Sequence, residues 1–160
     1  MVLVREITAD DWKLMRDVRL AALAEAPSAF GSTYAREADF TEERWRGRIS
    51  ERSVTFLAHE KTADAAPAGL AGVYVEDSDA ELVSMWVRPS ARGLGVGAAL
   101  VEAAAAWAKT RDFGALFLWV TESNAPAVRL YERLGFTPTG ERQPLPSDPA
   151  LAEIRMSREL

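Results

Sequence analysis

The chain has 160 residues, 48% of them hydrophobic and 27% charged, which is the size of one domain with enough apolar material for one core, so a single domain over residues 1–160 is expected. Its net charge of −5, with acidic and basic residues interleaved, argues against a surface that tracks nucleic-acid phosphates. With no cysteine, disulfides, thiolate metal sites and a cysteine acyl-enzyme are excluded, and no apolar run approaches the ~20 residues that span a bilayer.

Residues Met1 to Arg5 lack the charged, apolar and small-residue order of a signal peptide, so a cytoplasmic protein without membrane attachment is expected. Val2 to Ile7 reads as a strand, and Thr8-Ala9-Asp10-Asp11 supplies a polar cap and acidic first turn for a helix that runs to Glu25. Trp12, Met15, Val18 or Arg19, Ala22 and Leu23 recur every three or four residues and give that helix one buried stripe. Pro27 blocks its continuation. Pro27 to Ser32 reads as a loop, and Thr41-Glu42-Glu43 opens a second short helix carrying Trp45 and Ile49.

Ser53 to Glu60, Ala68 to Glu76 and Ala80 to Arg88 have strand character, the first two joined by the polar stretch Lys61 to Pro67 and the last two by the turn Asp77-Ser78-Asp79. A helix follows to about Arg111. Ala115 to Thr121 is a nearly continuous apolar run, the pattern of a strand covered on both faces. Asn124 caps a short helix that Gly135 stops, and Phe136 to Arg142 and Leu151 to Ser157 read as closing strands around the proline-rich loop Gln143 to Pro149. The order β-α-α-β-β-β-α-β-α-β-β implies an α/β (α+β) fold, a mixed sheet with helices on both faces.

The most informative segment is Arg92-Gly93-Leu94-Gly95-Val96-Gly97-Ala98, where a strand gives way to a helix. The first amides of a helix have no intrahelical partner, and the helix dipole favours an anion there by roughly 0.3–1 kcal/mol. Glycines at 93, 95 and 97 remove the Cβ atoms that would keep a pyrophosphate from those amides, and Arg92 adds a cation at the rim. The spacing G-x-G-x-G departs from the dinucleotide fingerprint, and no Gly-Lys-Ser/Thr follows as a Walker loop requires.

Val87-Arg88-Pro89 with Arg92 to Gly97, followed by Asn124-Ala125-Pro126-Ala127 and Tyr131-Glu132-Arg133-Leu134-Gly135-Phe136, resembles the GCN5-related N-acetyltransferase (GNAT) family over most of the chain. Arg92, Gly95 and Gly97 are similar to that family's acetyl-CoA signature, and Asn124, Ala127, Tyr131, Gly135 and Phe136 to its second block. The resemblance implies a mostly antiparallel sheet splayed between its fourth and fifth strands, with acetyl-CoA as co-substrate and no metal. It implies that Gly93, Leu94, Gly95, Val96, Gly97 and Ala98 wrap the CoA pyrophosphate. It also implies that Met85, Trp86 and Val87 pair with the pantetheine arm as an added strand. Asn124, in the block with Ala127, would hydrogen-bond the cofactor near its thiol end, and Tyr131 would lie beside the sulfur. A homodimer through sheet edges or last strands is left open.

Direct acetyl transfer needs a neutral amine, a polarised thioester carbonyl and a proton for the departing thiolate. A lysine-like amine loses roughly 4.6 kcal/mol to protonation at neutral pH and an α-amine about 1 kcal/mol, so the former depends far more on a base. Glu81 is the first candidate base, six residues before Val87 as in histone-acetylating relatives. On an unbulged strand it shares a face with Val83, Met85 and Val87. Glu37, on the loop after the first helix, and Glu122 are alternatives. Tyr131 is the candidate acid, since a phenol stays protonated at neutral pH. A backbone amide near Met85 to Val87 is the natural donor to the thioester oxygen.

Phe30, Tyr34, Glu37 and Trp45 are candidates for the acceptor side, with Trp86 opposite Met85. The single histidine, His59, cannot make a metal site alone. The acceptor is expected to be a small amine or amino-acid derivative, or a protein amino group, with no nucleic acid as partner. A protein group would need an open groove between the Phe30 to Trp45 segment and the Gln143 to Pro149 loop. The competing reading is a non-catalytic acyl-CoA-binding regulatory module that keeps the phosphate turn without transfer.

Overall fold

A break in one strand organises this molecule. The computed structural model describes residues 2–60 and 66–160. Within them the elements are β1 (Leu3–Glu6), α1 (Trp12–Glu25), α2 (Tyr34–Ala38), α3 (Glu42–Arg46), β2 (Ser53–His59), β3 (Gly69–Glu76) and β4 (Asp79–Val87). There follow α4 (Val96–Thr110), β5 (Ala115–Thr121), α5 (Ala125–Arg133), β6 (Thr137–Leu145) and β7 (Asp148–Glu159). The strands form one sheet in the order β1-β2-β3-β4-β5-β7-β6. Only β4 and β5 run parallel, and they pair solely through Ala80, Leu82 and the residue between them. Beyond Leu82 the two strands diverge. Among the described residues no helix is long and apolar enough to cross a membrane.

The divergence starts at a bulge. Ser84 has φ +60°, and the β3–β4 register jumps so that Ser84 and Met85 stand opposite Ala71 alone. An extra residue of this kind bends the strand and exchanges its faces. Ala80 and Leu82 before the bulge, and Met85 and Val87 after it, all pack toward α4. Trp86 packs on the other face with α1 and α3. The expectation that Glu81 shares a face with Met85 and Val87 is therefore corrected, because parity along β4 is broken at Ser84. Gly69 and Gly72 on β3 flank the bulge, and a Cβ on Gly69 would lie 2.6 Å from the Trp86 carbonyl oxygen.

Each face carries its own core. Val54, Phe56, Val73, Leu82, Leu100, Leu116 and Met156 are buried with α4, joined by Tyr131 and Phe136, whose rings meet edge-on with centroids 5.7 Å apart. Ile7, Met15, Leu23, Trp45, Leu57 and Leu70 are buried on the opposite face.

Three sequence expectations are corrected. Residues Tyr34–Ala38 form α2, capped by the Thr33 side chain, rather than part of a loop. Ile49 lies in the turn after α3, not inside it. The proline-rich stretch from Gln143 to Pro149 is not a loop, because most of it belongs to β6 and β7 with only a tight turn between. Pro138 and Pro144 are tolerated because β6 is the sheet edge and needs no donor on its outer side. Of the connection read over residues 61–67, residues 61–65 lie outside the described residues.

Gly69→Ala is expected to cost about 1–3 kcal/mol of unfolding free energy in urea, because β3 and β4 must part to admit the methyl group. An unchanged midpoint would contradict this packing.

Candidate active site

Two cavities meet at the parting of β4 and β5. The larger, of about 860 Å³, is lined by Met85, Trp86, Val87, the residues after Ala91, Asn124, Ala127 and Tyr131, with Glu25 to Ala29 on the far wall. The smaller, of about 430 Å³, is lined by Arg19, Phe30, Arg48, Tyr74, Glu81, Ser84, Trp119 and Glu153. Ala29 borders both.

The floor of the larger cleft is a bed of free amides. After Arg92, whose amide bonds to the Pro89 carbonyl, no backbone acceptor is engaged by the N–H groups of residues 93–98 among the described residues, and the Ala99 amide bonds back to Gly95. Gly93 and Gly95 have φ +80° and +84°, and a Cβ on either would meet nothing within 4 Å. Glycine relieves backbone strain at these two positions. Gly97 differs. A Cβ there would lie 3.1 Å from Leu130 Cδ2 and 3.3 Å from Met85 Cε, so its bareness lets α4 approach α5 and β4. Leu94 is exposed beside the turn.

Arg92 is folded across the cleft. Its Nη2 reaches Glu25 Oε1 at 2.7 Å and its Nε donates to the Val87 carbonyl at 3.0 Å. Glu25 also accepts from Trp86 Nε1 at 3.4 Å, which places the Trp86 ring at the larger cleft rather than in the smaller cavity. Asn124 Oδ1 accepts from the Ala127 amide at 3.4 Å as the cap of α5, leaving its NH₂ group available. Tyr131 is buried, and its hydroxyl makes no hydrogen bond among the described residues. Burial raises its pKa above the ordinary phenol range, so the hydroxyl keeps its proton across physiological pH.

In the smaller cavity Glu81 accepts from Arg155 Nη2 at 2.8 Å. Glu153 accepts from Gln143 Nε2 at 2.6 Å. Burial raises the Glu153 pKa; the Gln143 bond lowers it and the Glu81 charge raises it further, with a net upward shift. Phe30 lines this cavity under the Arg19 guanidinium, 4.9 Å from its ring centroid.

Tyr34 and Trp45 do not line either cavity: Tyr34 is 48% exposed and Trp45 is wholly buried in the core. Glu37 is 1% exposed and is held by Arg19 through two bonds of 3.0 and 2.9 Å and by Arg48 at 2.8 Å. Burial alone would raise its pKa, but the Arg19 hydrogen bond and charge, with help from Ser32 and Arg48, hold it down at about 2. It is a structural anion and no proton acceptor at neutral pH. Glu122 pairs with Arg142 at 2.6 Å on the surface. His59 is fully buried on β2.

Sequence reasoning missed Arg19, Glu25, Arg48, Trp119, Glu153 and Arg155. Arg19 left a trace as a cation within the apolar stripe of α1. Glu153, Arg155 and Ser157 left another as the polar members of an alternating strand.

Residues 18–136 match the Acetyltransferase (GNAT) family. A Bacillus subtilis protein named as a ribosomal protein bS18 alanine N-acetyltransferase is 34% identical over 88 residues, 55% of this chain and 57% of that one. Streptothricin acetyltransferase from Streptomyces lavendulae is 41% identical over 86 residues, 52% of this chain and 44% of that one. The matches span between 20% and 57% of the length of the curated relatives. The solved structure of a GCN5-related N-acetyltransferase from Kribbella flavida superposes with TM-score 0.73 at 26% identity, over 99% of this chain and 98% of that one.

Two outcomes are expected. Glu37 has a depressed folded pKa, so its stabilising effect is present above the unfolded value near 4.5 and is lost as pH falls toward about 2. Glu37→Gln should cost about 3 kcal/mol at neutral pH and flatten the acid limb of stability in that window; an unaltered limb would contradict the clamp. Glu25→Gln should tighten acetyl-CoA binding about twofold to fivefold in calorimetry, since it frees Arg92 and removes a carboxylate near the phosphate bed. Weaker binding would contradict that.

Proposed function

The chain belongs to the Acetyltransferase (GNAT) family, and on that premise we propose that it moves an acetyl group from acetyl-CoA directly to a primary amine through a ternary complex. The observation that carries this is the bed of unpaired amides at residues 93–98 opening into a cleft that ends at the Tyr131 hydroxyl. Donors presented by a helix start and two left-handed glycines suit a pyrophosphate. The unpaired edge of β4 from Val83 to Val87 suits the amide groups of a pantetheine arm, which would add as a short strand. Acetyl-CoA supplies the activated acyl group.

The chain's own residues divide the remaining work. An amide of β4 near Met85 donates to the thioester oxygen as negative charge develops. The amine nitrogen bonds to the carbonyl carbon, the carbon–sulfur bond breaks, and Tyr131 gives its proton to the departing sulfur. The proton lost by the amine passes to the carboxylates of the smaller cavity, Glu81 and Glu153. Glu153 is the better placed of the two to hold a proton, because burial and its neighbour both raise its pKa. Asn124 holds the thiol end through its free NH₂ group.

The acceptor enters from the smaller cavity. The relatives described above are named for an alanine of a ribosomal protein and for streptothricin, so the names in this neighbourhood include both protein and small-molecule amines. The turn between β6 and β7 favours the second. Ser147 donates to the Phe30 carbonyl, and Pro146 packs 3.6 Å from the Cβ position of Gly31. These contacts bridge the groove a long peptide would need.

Thiol release from acetyl-CoA with a panel of amines, beside calorimetric binding, tests the reading; binding without release for every amine would favour a non-catalytic acyl-CoA module. Tyr131→Phe should lower kcat about a hundredfold with little change in acetyl-CoA affinity, and an equal rate would remove it from the mechanism. Activity should fall as pH falls through the titration of Glu153, whose pKa burial raises. Glu81→Gln should lower the plateau and move the remaining limb to lower pH, because Glu153 loses the charge that raises it. Plateau and limb unchanged in both Glu81→Gln and Glu153→Gln would contradict the assignment.

A further inference from the structure

The smaller cavity carries opposite charge at its two ends, and neither end is balanced by protein alone. At the β4 and β7 end, Arg155 is, among the described residues, the cation that faces several carboxylates. It reaches Asp79 at 3.3 Å, Glu81 at 2.8 Å and Glu141 at 3.4 Å, while Glu153 stands by with only the neutral Gln143 as donor. Glu81 and Glu153 each engage one oxygen, Oε1. Among the described residues their Oε2 atoms have no donor. This end has anionic charge to spare.

The other end has the reverse imbalance. Arg19 and Arg48 share the one buried carboxylate of Glu37. Each Arg19 nitrogen has an acceptor, since its Nε and Nη2 take both Glu37 oxygens and its Nη1 lies 3.5 Å from Ser84 Oγ. Arg48 spends only Nη1 on Glu37, and its Nε and Nη2 have no acceptor among the described residues. The Trp45 ring lies beneath it at 5.2 Å, which holds the guanidinium at the cavity wall as a fixed fork.

These two ends decide among acceptors. A simple cationic amine satisfies the carboxylates and leaves Arg48 unmatched. A doubly charged phosphate group asks for more than the one free guanidinium. A protein amino group brings no carboxylate near its amine, and the Ser147 to Phe30 contact closes its route. A small molecule with one amine and one carboxylate answers both ends inside about 430 Å³.

Resting on the acetyltransferase reading above, we propose that the acceptor is a small amino acid-like zwitterion. Its amine lies between Glu81 and Glu153, and its carboxylate is taken by Arg48. The carboxylates that bind the amine also receive its proton, so recognition and activation share one end of the cavity. Arg48 then sets the identity of the acceptor, and Phe30, Tyr74 and Trp119 bound its side chain.

The test is initial-rate thiol release from acetyl-CoA with free amino acids, each set beside its primary amide and its decarboxylated amine. The best free amino acid should exceed both partners at least tenfold in kcat/KM, equivalent to ~1.4 kcal/mol, chiefly through KM. That preference would run against intrinsic reactivity, because the amide has the less basic and more often neutral amine. Arg48→Met should bring the ratio toward unity, and Arg48→Lys, which keeps the charge without the fork, should retain part of it. Amides or decarboxylated amines that match the free acids in every pair would overturn the zwitterion assignment while leaving acetyl transfer standing. A ratio unmoved in Arg48→Met would overturn the place given to the carboxylate. No release with any amine, with or without a carboxylate, would reject the transferase reading and the acceptor with it.

Discussion

The bulge at Ser84 is the constraint on which the remaining structure depends. Parallel strands hydrogen-bond continuously unless something bends one of them away. Here β4 pairs with β5 only from Ala80 to Leu82, and the positive φ at Ser84 turns its second half aside. That turn costs backbone strain of order 1–3 kcal/mol and leaves peptide groups along the gap without strand partners. Both features are expensive in a sheet that merely folds. They are what a site needs if an extended ligand is to complete the ladder. The glycines at 69 and 72 let the bent strand lie against β3, so β3 is shaped to receive the bend.

The helix α1 ties the two cavities together. Its Arg19 anchors the buried Glu37 beside the smaller cavity, and its last residue, Glu25, reaches Arg92 and Trp86 at the larger one. An amphipathic helix normally buries only apolar side chains, and a buried guanidinium is tolerated because Glu37 meets it with two parallel bonds. The pair fixes where α2 lies on α1. The same Glu37 carboxylate holds Arg48, in the turn after α3, through its Nη1. Electrostatics here places side chains more than it holds the fold, since most other ion pairs are exposed and contribute little.

How much of this was legible in the chain depends on whether a feature is local. The glycine turn, the run from Ala115 to Thr121 and the Asn124 cap are short-range patterns, and the structure puts each where the residues indicate. The short helix α2 was not legible, because five residues carry too little periodicity to stand out from a polar loop. The prolines near Pro144 suggested a loop because a strand interior excludes them, and only the sheet order reveals that β6 is an edge. The bulge left one readable sign, the two glycines within β3, which a strand would otherwise avoid. Its consequence, the exchange of faces along β4, decides which side chains Glu81 meets. The partners Glu153, Arg155, Arg19 and Arg48 come from far along the chain, and tertiary pairing alone brings them to one cavity.

In the proposed complex, main-chain nitrogens of residues 93–98 and the parted edge of β4 hold the coenzyme. Backbone amide spectra recorded during titration with acetyl-CoA test it most directly. The largest shifts and new protection from hydrogen exchange are expected at residues 93–98 and at Met85 to Val87. Saturable binding that leaves those amides unmoved and instead perturbs another surface would contradict it.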